Sequence, residues 1–136
     1  MSKNLAATGK NIAVFFGGVS SENEISIITG TMVCNVLKKG GQTVWPVYIT
    51  QEGRCLCGGN LADIKNFSGE VLPKAAECAF ERGGLVILSK RGKIKERVPV
   101  YAAVNCCHGG WGEGGGISGL CAALSIPLAS AGVFES

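Results

Sequence analysis

The stretch NIAVFFGGVSSENEISIITGTMVCNVLKKGGQTVWPVYI, running from Asn11 to Ile49, decides the fold. Its opening run, Asn11 to Phe16, is short, apolar and rich in β-formers, and it stops abruptly at Gly17-Gly18. That pattern predicts a strand buried on both faces. Beyond the turn, Ile25, Ile28, Met32 and Val36 recur at three- and four-residue spacing, the apolar stripe of an amphipathic helix. Ser21-x-x-Glu24 has the form of a capping box that would start this helix, and Gly40-Gly41 would stop it. Thr43 to Ile49 then reads as a second strand. Its Pro46 removes one backbone donor and predicts an edge position or a bulge. Strand, helix and strand make a βαβ unit.

Outward from this unit the signals weaken and then return. From Thr50 to about Gly84 the chain is Gly-rich and weakly periodic, with a short strand over Arg54–Cys57 and a short helix near Leu61–Phe67. Leu85–Leu88 and the run Val98–Cys107 read as further strands, joined by a hairpin through Arg91-Gly92-Lys93. A second Gly-rich turn, His108 to Gly116, precedes a helix from Ile117 to about Ser125, and Ile126-Pro127-Leu128 opens a last short strand. No internal repeat occurs. The alternation predicts an α/β fold: a Rossmann-like open, mainly parallel sheet with flanking helices.

Composition narrows the class. The chain of 136 residues, 46% hydrophobic, fits one ordinary domain spanning residues 1–136, because domains most often run to ~100–150 residues. No apolar run approaches the ~20 residues of a bilayer crossing, and the polar start MSKNLAATGK has no secretory stretch, so the expected compartment is the cytoplasm, with no membrane partner. The 7 cysteines are odd in number and sit in apolar segments, as reduced core fillers would. Zinc would want paired C-x-x-C motifs, whereas only Cys55-x-Cys57, Cys106-Cys107 and a single histidine are present, so no metal is expected on this chain. The formal charge of +3 is small. Its one basic concentration, Lys90, Arg91, Lys93, Lys95 and Arg97, reads as a solvated hairpin tip. Nucleic-acid binding would need a larger stripe with aromatics interleaved, and none is expected.

The chemistry belongs to the two Gly-rich turns. In open parallel sheets the ligand crevice lies beyond the carboxyl ends of the strands, so both turns should face one crevice. Each also feeds a helix amino terminus, where free N–H groups and the helix dipole favour carboxylates and phosphates. Glu22 falls at the start of the first helix, beside Gly17 and Gly18, whose missing side chains would let a ligand approach the backbone. A buried carboxylate there could hold an ammonium; alternatively Glu22 only complements the helix dipole, worth roughly 0.3–1 kcal/mol. Glu24 is accounted for by the capping box. His108 follows the strand end directly, with Trp111 and Glu113 in the same loop. It is either a structural or solvated histidine or, from its position, a site residue. Trp111 reads as a loop anchor. A literal G-x-G-x-x-G at Gly114, Gly116 and Gly119, with Glu135 downstream, is a weak dinucleotide signal, because the glycines start well past the strand and Glu135 lies beyond the next one.

Phe16-Gly-Gly-Val-Ser-Ser-Glu-Asn-Glu-Ile-Ser26 and His108-Gly-Gly-Trp-Gly-Glu113 together resemble the two amino-terminal signatures of D-alanine-D-alanine ligases, members of the ATP-grasp superfamily. Val47-Tyr-Ile-Thr-Gln-Glu-Gly53 and Ile126-Pro127 are similar to later landmarks of that family. The resemblance runs from about Asn11 to the end. It implies an amino-terminal substrate-positioning domain forming one wall of an amino-acid site, with ATP and magnesium held by two later domains absent from this chain. The implied reaction for peptidoglycan synthesis has two steps. ATP phosphorylates the carboxylate of one D-alanine, and the amine of a second displaces phosphate from the acyl phosphate. By position, Glu22 would hold the ammonium of the first D-alanine and His108 would line the same subsite near its carboxylate. The resemblance also implies a homodimer, and no catalytic activity for these residues alone.

Four positions depart from the family pattern: Gly114 stands for Asp, Ser118 for Gln, and Leu128 and Ser130 for Tyr and Gly. They leave open a paralogue that joins D-alanine to D-serine. The rival to a ligase domain is a stand-alone α/β module that binds a small anionic metabolite or nucleotide through the two Gly-rich turns. Coding sequence that continues past Ser136 with nucleotide and magnesium ligands would distinguish the two.

Overall fold

The computed structural model describes residues 10–19, 22–67, 75–110 and 115–130. Its first strand, β1 (Asn11–Gly17), alternates its side chains between two separate cores. Ala13 and Phe15 enter one, while Ile12, Val14 and Phe16 enter the other. Val14, Phe15 and Phe16 lose essentially all contact with water, each burial worth about 1.5–3 kcal/mol. The expectation of a strand buried on both faces therefore holds.

Helix α1 (Asn23–Lys39) crosses one face of β1, and its end is fixed as the two glycines foretold. The Gly41 N–H donates to the Lys38 carbonyl and the Gln42 N–H to that of Leu37, closing a Schellman cap with Gly41 at φ +90°. The start differs from expectation. Glu22 is the N-cap and no side chain caps the helix; Ser21, the other half of the expected capping box, lies outside the described residues.

The helix is also turned the other way. Ile25, Ile28, Met32 and Val36 point outward, from 42% (Met32) to 58% (Ile28) exposed. The face on the sheet is Asn23, Ser26, Ile27, Thr29, Gly30, Thr31, Val33 and Cys34. The reason is closeness. A methyl group on Gly30 would overlap the Phe16 ring, so α1 lies so near β1 that small residues, not large apolar ones, fit between them.

The sheet has eight strands among the described residues, in the order β6-β5-β4-β3-β2-β1-β7-β8. Strands β2 (Thr43–Ile49), β1, β7 (Ala102–Asn105) and β8 (Leu128–Ser130) run parallel and form the doubly covered half. Strands β3 (Cys55–Cys57), β4 (Ala76–Glu81), β5 (Gly84–Leu88) and β6 (Ile94–Pro99) extend it antiparallel. Pro46 is fully buried in β2, yet β3 pairs only with Val47–Ile49, so the proline sits where that side of the strand has no partner. The short helix expected near Leu61–Phe67 is two 3₁₀ turns, Gly59–Ala62 and Ile64–Phe67.

Two features of the antiparallel arm escaped the sequence reading. Strand β4 was hidden because Ala76, Cys78 and Ala79 are too small to make its alternation visible; its hairpin to β5 turns on Arg82-Gly83, with Gly83 at φ +75°. The run Val98–Cys107 is two strands, not one. After Pro99 the chain leaves β6 at one edge of the sheet and enters β7 beside β1, with only Val100 and Tyr101 between. So short a link requires the arm to roll back over the sheet. Asn11 Nδ2 donates to the Pro99 carbonyl at 2.8 Å, the Tyr101 N–H donates to the Asn11 carbonyl, and Phe80 of β4 packs on Phe15 of β1 with ring centres 5.7 Å apart. Together with helix α2 (Ile117–Ala123), the arm encloses the second core.

All seven cysteines are free thiols, and six are buried. Burial pushes the thiols of Cys34 and Cys107 up to about 12. The hydrogen bond to Cys57, together with burial, raises that of Cys78. Expected as core fillers, they pack as such. The basic tip is likewise a turn: Gly92 at φ +81° closes it through a hydrogen bond to Ser89, and Arg97 pairs with Glu81.

Candidate functional site

The parallel pairing of β1 with β7 brings the two Gly-rich turns together. Phe15 faces Asn105 across the ladder, and the Cys106 N–H donates to the Phe15 carbonyl as the strands part. One turn then leaves through Gly17 and Gly18, the other through Cys107 and His108. They are neighbours: a methyl group on Gly18 would stand 4.0 Å from the Cys107 Sγ. The expected meeting of the two turns at the carboxyl ends of the strands is therefore present.

Helix α1 ties the turns in place with its polar buried face. Ser26 is the central clamp: its Oγ accepts the Gly17 N–H at 2.7 Å and donates to the Cys106 carbonyl at 2.6 Å, joining β1 and β7 beyond their last ladder bonds. Asn23 works one turn earlier. Its Nδ2 donates to the Gly18 carbonyl at 2.9 Å, and its Oδ1 accepts the Tyr48 hydroxyl at 2.9 Å. Burial of the Tyr48 ring raises its phenol pKa, which keeps it the donor in that pair. The network is closed internally and rigid.

Gly17 and Gly18 have different reasons to lack side chains. At φ +88°, a methyl group on Gly17 would overlap the Ile49 carbonyl and the Tyr48 ring, so packing alone demands glycine there. Gly18, at φ +112°, meets nothing closer than Cys107 and borders a cavity of about 300 Å³. That cavity is apolar, lined by Val19, Ile49, Gly53, Cys55, Phe80 and Ile117 among others. Both glycine N–H groups are already donated, to Ser26 and to the Ile49 carbonyl. The backbone offers shape here, not donors.

His108 is half-buried, and its Nε2 lies 3.1 Å from the Thr29 Oγ1. The Thr29 hydroxyl can also donate to the Ile25 carbonyl at 3.2 Å; when its one proton goes there, Nε2 is the donor of the pair. Glu22 is exposed at the N-cap of the same helix. Seven residues separate it from Thr29, nearly two full turns, so Glu22, Ser26 and Thr29 share one helical stripe. The distance along the axis is about 10 Å at the ~1.5 Å rise of an α-helix. Helical geometry thus sets Glu22 and His108 along one side of α1, and Glu22 is exposed, not the buried carboxylate the sequence suggested.

Several expectations fall outside the described residues: Trp111, Glu113, and the Gly114 and Glu135 of the weak dinucleotide pattern. Gly116 and Gly119 flank and enter the short α2. Asn23, Ser26 and Thr29 were signalled in the sequence only as polar residues on a helix face that the fold buries, and Tyr48, on β2, by nothing. Among the described residues, no three His, Cys, Asp or Glu side chains converge as a metal set. Among them, too, no helix is long and apolar enough to cross a membrane.

A mixed sheet whose parallel half brings two Gly-rich turns together at its strand ends, with a helix starting there, defines an α/β domain. The model of the D-ala D-ala ligase N-terminus matches residues 11–131. The chain belongs to that family. It is similar to the D-alanine–D-alanine ligase of Pelodictyon phaeoclathratiforme, 34% identical over 131 residues that span 92% of this chain and 36% of that protein. The same enzyme of Thermosipho melanesiensis is 33% identical, over 93% of this chain and 35% of its own. Among solved structures, the D-alanine-D-alanine ligase of Helicobacter pylori superposes with a TM-score of 0.62 at 26% identity, over 88% of this chain and 36% of the other. The VanG D-Ala:D-Ser ligase of Enterococcus faecalis, at 24% identity, shares the fold with a TM-score of 0.70 over 88% of this chain and 35% of its own. The chain spans about a third of the length of these relatives. Membership favours the ligase-domain expectation over the stand-alone binding module.

Proposed function

We propose that this chain is the amino-terminal substrate-positioning region of an ATP-dependent D-alanine–D-alanine ligase acting in the cytoplasm on peptidoglycan precursors. The match of the family model to residues 11–131 carries this reading. The meeting of both Gly-rich turns at the carboxyl ends of β1 and β7 supports it. In the full-length enzyme, ATP supplies the phosphoryl group that activates the first D-alanine carboxylate, with magnesium, and other domains of that protein hold both.

The part played by this chain is binding and orientation. Glu22, at the mouth of the crevice, pairs with the ammonium of the first D-alanine, and His108 faces its carboxylate from the next loop. Gly18 leaves room for the ligand between them, while Gly17 and the Ser26 clamp hold the loops at a fixed separation. Such preorganisation turns a bimolecular encounter into a positioned one. The chain's residues exclude water and align the reactants; none is assigned a covalent step.

The test is dipeptide formation from D-alanine by the full-length protein, assayed with and without D-serine to identify the second amino acid. Glu22→Gln should raise the KM for the first D-alanine roughly 10- to 100-fold, the loss of one charge-assisted hydrogen bond of about 1.5–3 kcal/mol. Unchanged affinity would reject the ammonium-pairing role of Glu22. Absence of ligation with any D-amino acid would reject the ligase reading itself.

A further inference from the structure

The chain holds His108 by its backbone and by its ring. Ser26 donates to the Cys106 carbonyl, two residues before the histidine, and the Asn105 Oδ1 accepts the Cys107 N–H at 3.0 Å, so the backbone leading into His108 is tied down. Thr29 meets the ring from the next turn of α1, on the same stripe as Ser26, with Oγ1 3.1 Å from Nε2. Thr29 is only 7% exposed, so its hydroxyl is set among protein partners. That hydroxyl carries one proton, directed either at Nε2 or at a carbonyl. Its direction decides which ring nitrogen must carry a proton.

We infer that Thr29 is a positioning residue for His108: its hydroxyl donates to the Ile25 carbonyl and accepts the Nε2 proton, which fixes the ring and keeps Nε2 protonated whether the imidazole is neutral or charged. The Thr29 Oγ1 stands 3.2 Å from the Ile25 carbonyl, the back-bond that helical threonines make to the residue four earlier. Thr31 does the same to Ile27 at 2.9 Å, so α1 directs the hydroxyl protons of its buried threonines into its own backbone. A carbonyl oxygen has two lone pairs, and Ile25 can accept the hydroxyl beside its helical N–H. The opposite arrangement, with O–H aimed at Nε2, requires a lone pair there and bars the ring from its cationic form. A histidine that faces a carboxylate needs that form, because only then do both nitrogens donate. With Nε2 held by Thr29, Nδ1 is the nitrogen at which the ring gains and loses its second proton. The purpose of this arrangement rests on the proposed role of His108 beside the ligand carboxylate; the arrangement itself rests on the contacts of α1.

The chain has a single histidine, so its imidazole gives one unambiguous set of signals in proton–nitrogen NMR. At about pH 8, where an ordinary imidazole is neutral, the wild type should show a proton on Nε2 that is shielded from exchange with water. Thr29→Val keeps the branched shape, removes the hydroxyl, and should lose that signal. Thr29→Ser should restore it, with circular dichroism confirming that both variants are folded. In the full-length enzyme, Thr29→Val should raise the KM for D-alanine roughly five- to tenfold, the worth of one ordinary hydrogen bond, and Thr29→Ser should bring it back. A wild-type ring protonated on Nδ1 and not on Nε2, or a shielded Nε2 proton that survives Thr29→Val, overturns the inference. So does a KM indifferent to Thr29→Val in an enzyme whose KM rises with His108→Ala. If the NMR results hold while His108→Ala leaves the KM unchanged, the carboxylate role of His108 is what fails, and the bond from its ring to Thr29 stands.

Discussion

Ser26 carries more of the site's geometry than any residue that would touch a ligand. Its hydroxyl joins the Gly17 N–H to the Cys106 carbonyl where Ser26 is fully buried, so removing it leaves two buried groups without that partner. Ser26→Ala should cost about 2–3 kcal/mol of stability by urea denaturation, well above the loss from an ordinary surface hydroxyl. Its cost in substrate affinity should exceed what stability predicts, because the two loops lose their common anchor. Gly30→Ala is the complementary case. Helix propensity favours alanine by about 0.8–1 kcal/mol, but the methyl group meets the Phe16 ring, and overpacking a core costs about 1–3 kcal/mol. Net destabilisation is expected; a more stable variant would mean that α1 can lift from β1. Neither residue was singled out by sequence. Their roles depend on partners that tertiary structure delivers, for Ser26 a carbonyl 80 residues away.

At the scale of elements, what was legible was local. β1, β2, the extent of α1 and the β5–β6 hairpin were announced by apolar runs and by glycines at Gly17, Gly41 and Gly92, each in the left-handed conformation that ends or turns a segment. The orientation of α1 was not legible, because periodicity shows that a helix has an apolar side without showing which neighbour that side meets. Here the sheet takes the small and polar side. The candidate loops were legible as glycine clusters after strands, whereas the exposure of Glu22 was not. The thiols offer a test at this scale. Cys34 of α1 and Cys107 beyond β7 hold their protons more tightly in the fold than at the ordinary thiol value of 9.0. In alkali the unfolded chain therefore releases these protons first, and stability is retained below pH 9 and lost as pH climbs toward 12. Each thiol contributes a slope of about 1.4 kcal/mol per pH unit in that window. Denaturation midpoints measured across the window should decline, and Cys34→Ala should make the decline shallower. An unchanged slope would contradict the burial of that thiol.

Across the whole molecule, the rolled antiparallel arm separates two kinds of surface. Its outer strand β6 presents Ile94, Lys95, Glu96 and Arg97 to solvent, a charged edge that resists pairing with other chains. The opposite edge is β8, described over Leu128–Ser130.

The link through Val100 and Tyr101 has a further consequence for how the chain is made. β1 emerges early, yet Ile12 finds Ala102 beside it, and Asn11 finds Pro99 and Tyr101, only after β6 and β7 exist. Until then the most water-averse strand of the molecule has one flank open and its Phe15 uncovered by Phe80. Strand β1 is thus committed to waiting for partners such as Pro99, 88 residues after Asn11, and contacts between such distant residues slow folding. Helix α1, lying close over Phe16, shelters one side of that strand during the wait.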